Sequence, residues 1–288
     1  MTERGAGARP GGAGSGGAGV TDRTKRTAPS IQAMKAAGEK IAALTAYDFV
    51  TARLLDEAGV DVLLVGDSAA MVVLGYENTL PVTLDAMLVL TAAVARAKPT
   101  ALVVGDMPFM SYQASQADAV RSAGRMVKEG GAEAVKLEGG RKIVPTVHAV
   151  LDAGIPVMGH VGLTPQSIHE LGGYRVQGKG GEARARLLDD AKALEGAGCF
   201  SIVLEAVPWE LAKEITASVS VPTIGIGAGP HCDGQVLVVN DIIGYALGRT
   251  AKFVRRYGDT KSVVAEAARG FVDDVKRGSY PSLDESYS

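Results

Sequence analysis

The sequence predicts an α/β protein, a single (β/α)8 barrel, and three observations carry that prediction. Short apolar runs of the kind that form buried parallel strands recur eight times, alternating with helical stretches over about 250 residues. One unit is written twice: Leu63-Leu64-Val65-Gly66-Asp67 is followed 39 residues later by Leu102-Val103-Val104-Gly105-Asp106. The first βα turn lacks the Gly-x-Gly-x-x-Gly of a dinucleotide-binding sheet, which weighs against the competing doubly wound fold. A barrel concentrates chemistry at the carboxyl ends of its strands, so functional residues are expected there.

Residues 1–28 hold eight glycines in the first twenty positions. They carry no apolar h-region and cannot bury enough surface to offset their ordering entropy, so they read as a disordered tail. The barrel domain then spans 29–288. Ser30 can cap a short helix, Ile31 to Ala37, ended by Gly38. The expected strands are Ile41 to Thr45, Val62 to Val65, Ala101 to Val104 and Ala134 to Leu137, then Pro156 to Gly159, Ser201 to Leu204, Thr223 to Ile226 and Val236 to Val239. The helical stretches between them are Phe49 to Ala58, Val82 to Ala97, Ser115 to Glu129, Val144 to Ala153, Ala185 to Ala197 and Trp209 to Ser218. The connection 161–183 carries six glycines and reads as a loop within the domain. Asp259 and Thr260 open a last amphipathic helix, with Val263, Ala267, Phe271 and Val275 on one stripe.

The chain has 288 residues, 47% hydrophobic, enough for one large α/β core. A net charge of −2 leaves no electrostatic case for nucleic acid or an anionic membrane. No apolar run approaches the roughly 18 residues of a membrane helix. The partners expected are small molecules and other copies of the chain. Cys199 and Cys232 lack metal-type spacing, Cys199 reads as a small core residue, and a reduced, cytoplasmic setting fits.

The strand ends are unusually polar. Asp67-Ser68 follows the second strand, Asp106 the third, Lys136 and Glu138 close the fourth, His160 the fifth and Glu205 the sixth. The Gly225–Gly229 loop after the seventh lies where barrels often bind phosphate, or it allows close approach of the backbone to a bulky substrate. Neighbouring parallel strands stand roughly 5 Å apart, so Asp67 and Asp106 could share one hard divalent cation, although two helix N-caps would read the same way. Lys136 and Glu138, two apart, point together into the barrel mouth. The ammonium could pair with an anionic substrate group and Glu138 could reach the cation; a structural ion pair is the plain alternative. Three carboxylates suit Mg²⁺, and no Cys/His set argues for zinc. His160 is a substrate contact, a ligand or a satisfied core histidine. Glu205 ends an apolar run, where burial would raise its pKa and suit it to act as a general base. Together these groups fit chemistry beside a carbonyl: a metal-polarised 2-oxo acid, a base that removes the neighbouring proton, and attack of the resulting enolate on an electrophilic carbon.

A series of motifs runs along the chain: Thr45-Ala46-Tyr47-Asp48, Val65-Gly66-Asp67-Ser68, Thr79-Leu80-Pro81-Val82-Thr83, Asp106-Met107-Pro108-Phe109-Met110 and Val135-Lys136-Leu137-Glu138-Gly139-Gly140. It continues through Gly159-His160-Val161-Gly162-Leu163-Thr164-Pro165-Gln166, Gly172-Gly173-Tyr174-Arg175-Val176-Gln177-Gly178 and Ile224-Gly225-Ile226-Gly227-Ala228-Gly229. On these motifs rests a resemblance to the ketopantoate hydroxymethyltransferase family. It implies a (β/α)8 barrel, usually a homodecamer, that uses Mg²⁺ and 5,10-methylenetetrahydrofolate to hydroxymethylate 3-methyl-2-oxobutanoate in pantothenate synthesis. By the same resemblance Asp67 and Asp106 bind the metal and Glu138 completes its sphere. Asp67, Ser68, Asp106 and Lys136 contact the 2-oxo acid, and Glu205 accepts the proton. The glycine-rich tail departs from the family pattern, and Gly75-Tyr76-Glu77-Asn78 and Pro230-His231-Cys232 fall where relatives vary, which leaves the folate contacts open. The rival enzyme reading is a Mg²⁺-dependent lyase or mutase of the isocitrate lyase type, whose Lys-Lys-Cys-Gly-His-like loop is missing here. A non-catalytic barrel oligomer would predict losses among the strand-end residues, and all of them are present.

Overall fold

A computed structural model of the chain describes residues 23–248 and 250–288. In order the elements are α1 (Ala28–Ala36), β1 (Ile41–Thr45), α2 (Phe49–Glu57), β2 (Val62–Val65), α3 (Ala69–Val72), α4 (Leu84–Ala95), β3 (Leu102–Asp106), α5 (Gln116–Lys128) and β4 (Ala134–Glu138). There follow α6 (Val144–Asp152), β5 (Val157–Gly162), α7 (Ile168–Leu171), α8 (Gly181–Gly196), β6 (Ser201–Glu205), α9 (Trp209–Ser218), β7 (Thr223–Ile226), β8 (Gly234–Leu237), α10 (Val239–Ile242) and α11 (Thr260–Arg277). The eight strands are parallel and close into a barrel in sequence order. Closure runs through Ile41 opposite Gly234 and Leu44 opposite Leu237, so β8 starts two residues earlier than its apolar run suggests.

Strand residues alternate between two packed faces. Inside the barrel stand Ile41, Val62, Leu64, Leu102, Val104, Met158, Val203, Ile224 and Val236. Outward, Leu63, Val103, Leu137, Ile202 and Leu204 meet Met87, Met126, Leu194 and Leu211 of the surrounding helices. With both faces buried, these strands read as continuous apolar runs.

The amino-terminal mouth is plugged by α1, whose Ile31 and Met34 join the interior layer. Residues 23–28 depart from the expected disordered tail. Arg23 donates to the carbonyls of Asp56 and Val60 at 3.0 and 3.1 Å, Lys25 to that of Ala101 at 2.7 Å, and Arg26 to the Asp61 carboxylate at 3.0 Å. Cationic side chains satisfy the backbone carbonyls at the barrel base, which a reading of composition alone cannot foresee. The rest of the expected tail, 1–22, lies outside the described residues. The cap of α1 is Thr27, not Ser30. Ser30 sits three residues in, and the two side chains cap each other's N–H groups at 3.3 and 2.7 Å.

At the opposite end, the connection 161–183 holds a turn at Pro165–Ser167 and the short α7, then irregular chain that brings Tyr174 to a pocket at this mouth; the N–H of Gln177 donates to the Ala206 carbonyl at 2.9 Å. The terminal α11 buries none of its residues, and its stripe of Val263, Phe271 and Val275 faces solvent. Cys199 and Cys232 are both free and buried.

Candidate active site

Backbone register assembles the site. Asp106 lies opposite Lys136, Glu138 opposite His160, and Gly162 opposite Glu205 on adjoining strands, while Asp67 follows β2 by two residues. Asp67, Ser68, Asp106, Lys136, Glu138, His160 and Glu205 all line one pocket of about 160 Å³ at the carboxyl end of the barrel. That is small against the 300–1,000 Å³ or so of pockets for drug-sized ligands, so it suits a compact molecule. The ionisable lining residues follow β2 to β6, with Leu64, Met71 and Val203 among them, while Ile226, Val236, Leu237 and Val238 form an apolar arc at β7 and β8.

The polar side is a chain of alternating charge. Lys136 Nζ lies 2.7 and 2.9 Å from the two Asp106 oxygens and 3.3 Å from Glu138 Oε1. His160 Nδ1 stands 3.5 Å from Glu138 Oε1 and its Nε2 3.3 Å from Glu205 Oε2. The imidazole is fully buried, and neither nitrogen makes a hydrogen bond of good geometry. Burial and Lys136 oppose its charged form, yet the two carboxylates outweigh them and push its pKa up to about 9. Glu138 is driven the other way: burial would raise it, but Lys136, His160 and the N–H of Gln166 hold it below the usual carboxylate range.

Asp67 is the exception. Burial, with the negative charges of Asp106 and Glu138, pushes its carboxyl well above the ordinary range. Burial also raises Asp106, against the pull of Lys136. Four carboxylates therefore face two cationic side chains, and the deficit of positive charge collects at Asp67. One oxygen each from Asp67, Asp106 and Glu138 lie within 4.8 Å of one another. Three converging carboxylate oxygens could serve as the donor set of a hard divalent cation. The Glu205 side chain is 17% exposed and faces the imidazole.

Three further residues bear on the site. Tyr47, within the Thr45–Asp48 motif, shares a 2.8 Å hydrogen bond with Ser68 Oγ, and burial pushes its phenol well up. Gln166 bridges the Asp67 and Glu138 carboxylates from behind, and Tyr112 holds it there by donating to its amide oxygen. A search for ionisable groups at strand ends passes over all three, because each is neutral and two stand on loops. The Gly225–Gly229 loop offers no open cradle. A Cβ at Gly227 would lie 2.8 Å from the Phe253 ring and one at Gly229 2.4 Å from Trp209 Cβ, so these glycines admit the protein's own aromatic side chains.

The chain is similar to known proteins over nearly its whole length. A family model described as Ketopantoate hydroxymethyltransferase matches residues 25–283. A 3-methyl-2-oxobutanoate hydroxymethyltransferase of Geobacter metallireducens is 57% identical over 264 residues, covering 92% of this chain and 99% of that one. The Moorella thermoacetica enzyme of the same name is 53% identical over 268 residues, covering 93% and 100%. Among solved structures, a phosphonopyruvate hydrolase complex with oxalate and Mg²⁺ gives a TM-score of 0.59 at 13% identity, covering 90% of this chain and 93% of that one. A 2,3-dimethylmalate lyase of the PEP mutase/isocitrate lyase superfamily gives 0.60 at 16%, covering 91% and 89%. At those identities the likeness is one of fold, so the lyase reading gains architecture and nothing about chemistry. The chain belongs to the ketopantoate hydroxymethyltransferase family and is, like its relatives, a transferase.

Proposed function

We propose that the chain transfers a hydroxymethyl group from 5,10-methylenetetrahydrofolate to 3-methyl-2-oxobutanoate, giving ketopantoate for pantothenate synthesis. The observation that carries this reading is the make-up of the pocket: a carboxylate triad that could hold a cation, an ammonium beside it, the Glu205 carboxylate, and an apolar arc at β7 and β8. A branched 2-oxo acid matches it, with a carboxylate and keto oxygen at one end and an isopropyl group at the other.

The triad fits Mg²⁺, with Asp67 and Asp106 as ligands and Glu138 completing the sphere; when bound, the ion would polarise the keto group as a Lewis acid. Lys136 pairs with the substrate carboxylate, and the Ser68 hydroxyl, oriented by Tyr47, donates to it. Ile226, Val236 and Val238 receive the isopropyl group and exclude water from it. An oxygen of Glu205 takes the C3 proton, and His160 holds that carboxylate toward the pocket. Water cleaves the two C–N bonds of the donor's methylene carbon, releasing tetrahydrofolate and leaving the one-carbon unit as formaldehyde; C3 attacks that carbon, and the proton held by Glu205 passes to the new alkoxide. A wider cleft of about 1140 Å³ opens beside Glu138, which is room for the larger donor.

Self-association, expected as a homodecamer, is supported by the exposed apolar stripe of α11, a surface that assembly would cover. Among the described residues no helix is long and apolar enough to cross a membrane. The reaction is tested by incubating the protein with both substrates and Mg²⁺ and assaying ketopantoate, with EDTA as control. Metal-dependent product is expected. Its absence from folded, assembled protein would overturn the reading and bring back the lyase alternative.

A further inference from the structure

Gln166 is buried on the turn after β5, yet it does not line the substrate pocket; it lines the wider cleft behind Glu138. From that side its amide reaches four groups. Nε2 donates to Asp67 Oδ2 at 3.0 Å and to the Met107 carbonyl at 2.9 Å. Oε1 accepts from the Tyr112 hydroxyl at 2.8 Å and from Gln113 Nε2 at 3.0 Å. Its backbone N–H donates to Glu138 Oε2 at 3.0 Å.

A primary amide offers two N–H donors and two carbonyl lone pairs, and here all four are engaged. The orientation is therefore determined. Turned over, the amide would set its oxygen against the Asp67 carboxylate and the Met107 carbonyl, where only a donor can stand. Tyr112 closes the circuit, because its hydroxyl accepts from the Glu138 N–H at 3.0 Å and passes its own hydrogen to Gln166.

This circuit spans a gap that the barrel leaves open. Asp67 follows β2 and Glu138 ends β4, with β3 between them, so no ladder hydrogen bond relates the two. Their negative charges repel. Lys136 neutralises Asp106 and Glu138 directly, but among the described residues Gln166 is the one hydrogen-bond donor to the Asp67 carboxylate.

We propose that Gln166, braced by Tyr112, is a positioning residue that sets the Asp67 and Glu138 carboxylates at the separation a divalent cation requires before the ion arrives. The inference rests on the metal reading above, and its test separates the two. Mn²⁺ serves as probe, its affinity measured by EPR of the free ion and by calorimetry on wild type, Q166M, Y112F and the double variant. Each is measured with and without 3-methyl-2-oxobutanoate, with folding checked by circular dichroism and melting. Q166M keeps the length of the side chain and removes its hydrogen bonds.

Removing an outer partner of a metal ligand typically weakens metal affinity by about 10- to 100-fold, and that loss is expected for Q166M. Y112F should weaken binding in the same direction by a smaller factor. The double variant should lose no more than Q166M alone, since both substitutions cut one circuit. At saturating Mn²⁺, the affinity for 3-methyl-2-oxobutanoate should return to within a few-fold of wild type, because Gln166 does not line the substrate pocket. Folded Q166M with wild-type Mn²⁺ affinity would overturn the inference alone, as would a loss of 3-methyl-2-oxobutanoate affinity that saturating Mn²⁺ does not restore. If Q166M fails to fold, an unchanged affinity in Y112F overturns it and a weakened one upholds it. Failure of the wild type to bind Mn²⁺ under either condition would overturn the metal reading, and this inference with it.

Discussion

Replacing Gly162 by alanine should cost stability and activity through one contact. Gly162 ends β5 at φ +99°, opposite Glu205 of β6. A side-chain-bearing residue held in that backbone region costs about 1–3 kcal/mol. The added Cβ would stand 2.2 Å from the Glu205 carbonyl oxygen and 2.9 Å from Val207 Cγ1. Real contacts of this kind do not fall below 3.0 Å, so the two backbones must part by about 1 Å. That displacement also strains the 2.8 Å hydrogen bond from the Leu163 N–H to the same carbonyl, worth about 1 kcal/mol. Together the variant should lose about 2–4 kcal/mol. For a domain of this size the loss lowers Tm by roughly 5–15 °C. Because the residue pushed aside carries the proposed base, a shift of about 1 Å should slow proton removal by about 100-fold. The assay is exchange of the C3 proton of 3-methyl-2-oxobutanoate into D₂O, followed by NMR beside urea denaturation. Gly172→Ala is the control. Its φ is +68°, but a Cβ there meets no atom within 4 Å, so it should cost about 1–2 kcal/mol and leave exchange intact. An exchange rate in folded Gly162→Ala within threefold of wild type would refute the claim that the Glu205 backbone position sets the rate. Equal losses in both variants would point to general destabilisation instead.

Three more substitutions test the site and its frame. Glu205→Gln should slow C3 exchange by about 10²- to 10⁴-fold while Mn²⁺ and 2-oxo acid still bind, and wild-type exchange would remove Glu205 as the base. Asp106→Ala should abolish metal-dependent 2-oxo acid binding; it also leaves the Lys136 ammonium buried with only Glu138 at 3.3 Å, at a cost of about 3–5 kcal/mol. Retained Mg²⁺-dependent affinity would sink the ligand assignment. At the barrel base, Asp56 accepts from the Thr100 N–H and hydroxyl and from the Ala101 N–H at 2.8–2.9 Å. Burial opposes its charge, but these bonds hold its pKa below the usual range. A carboxyl depressed on folding contributes stability above its unfolded pKa, near 4, and loses it as pH falls through the folded value. The gap in urea midpoint between wild type and Asp56→Asn should accordingly shrink from pH 7 to pH 3. A constant gap would contradict the titration argument.

How much was legible in the sequence follows from burial. Strands packed on both faces write themselves as apolar runs, so β1, β2 and β7 match their expected limits residue for residue, while β3, β4, β5 and β6 run on into the polar residues at their ends. The barrel predicts that those ends converge, and Asp67, Ser68, Asp106, Lys136, Glu138, His160 and Glu205 do line one pocket. What escaped is whatever depends on a partner far away in the chain. The order of residues 23–28 depends on carbonyls of Asp56, Val60 and Ala101. The part of Gln166 depends on Asp67, 99 positions away, and no local pattern marks a neutral amide as a bridge. The glycines after β7 were legible as close approach, but composition cannot say whether a phosphate or an aromatic ring comes near.

The polar rim is best understood as one electrostatic unit rather than a set of independent residues. From Asp106 through Lys136, Glu138 and His160 to Glu205, each charge meets an opposite charge on its own or the adjoining strand, at 2.7 to 3.5 Å. Parallel register produces this directly, since it sets Asp106 beside Lys136 and Glu138 beside His160. Removing a member leaves its neighbours under-compensated, most of all where the neighbour has no second partner of opposite charge, as would be the case for Asp106 without Lys136, so pairs of substitutions should be non-additive. The unit is also unbalanced at one end. Asp67 has an amide for its partner instead of a cation, and its raised proton affinity is the electrostatic expression of that imbalance. A divalent cation between Asp67 and Asp106 would supply the missing charge and compete with Lys136 for Asp106. The ammonium would then be released toward the pocket, where the carboxylate of an entering 2-oxo acid is the anion available to meet it. On this argument the metal and the acid bind with positive coupling, and the side chain that mediates it is Lys136.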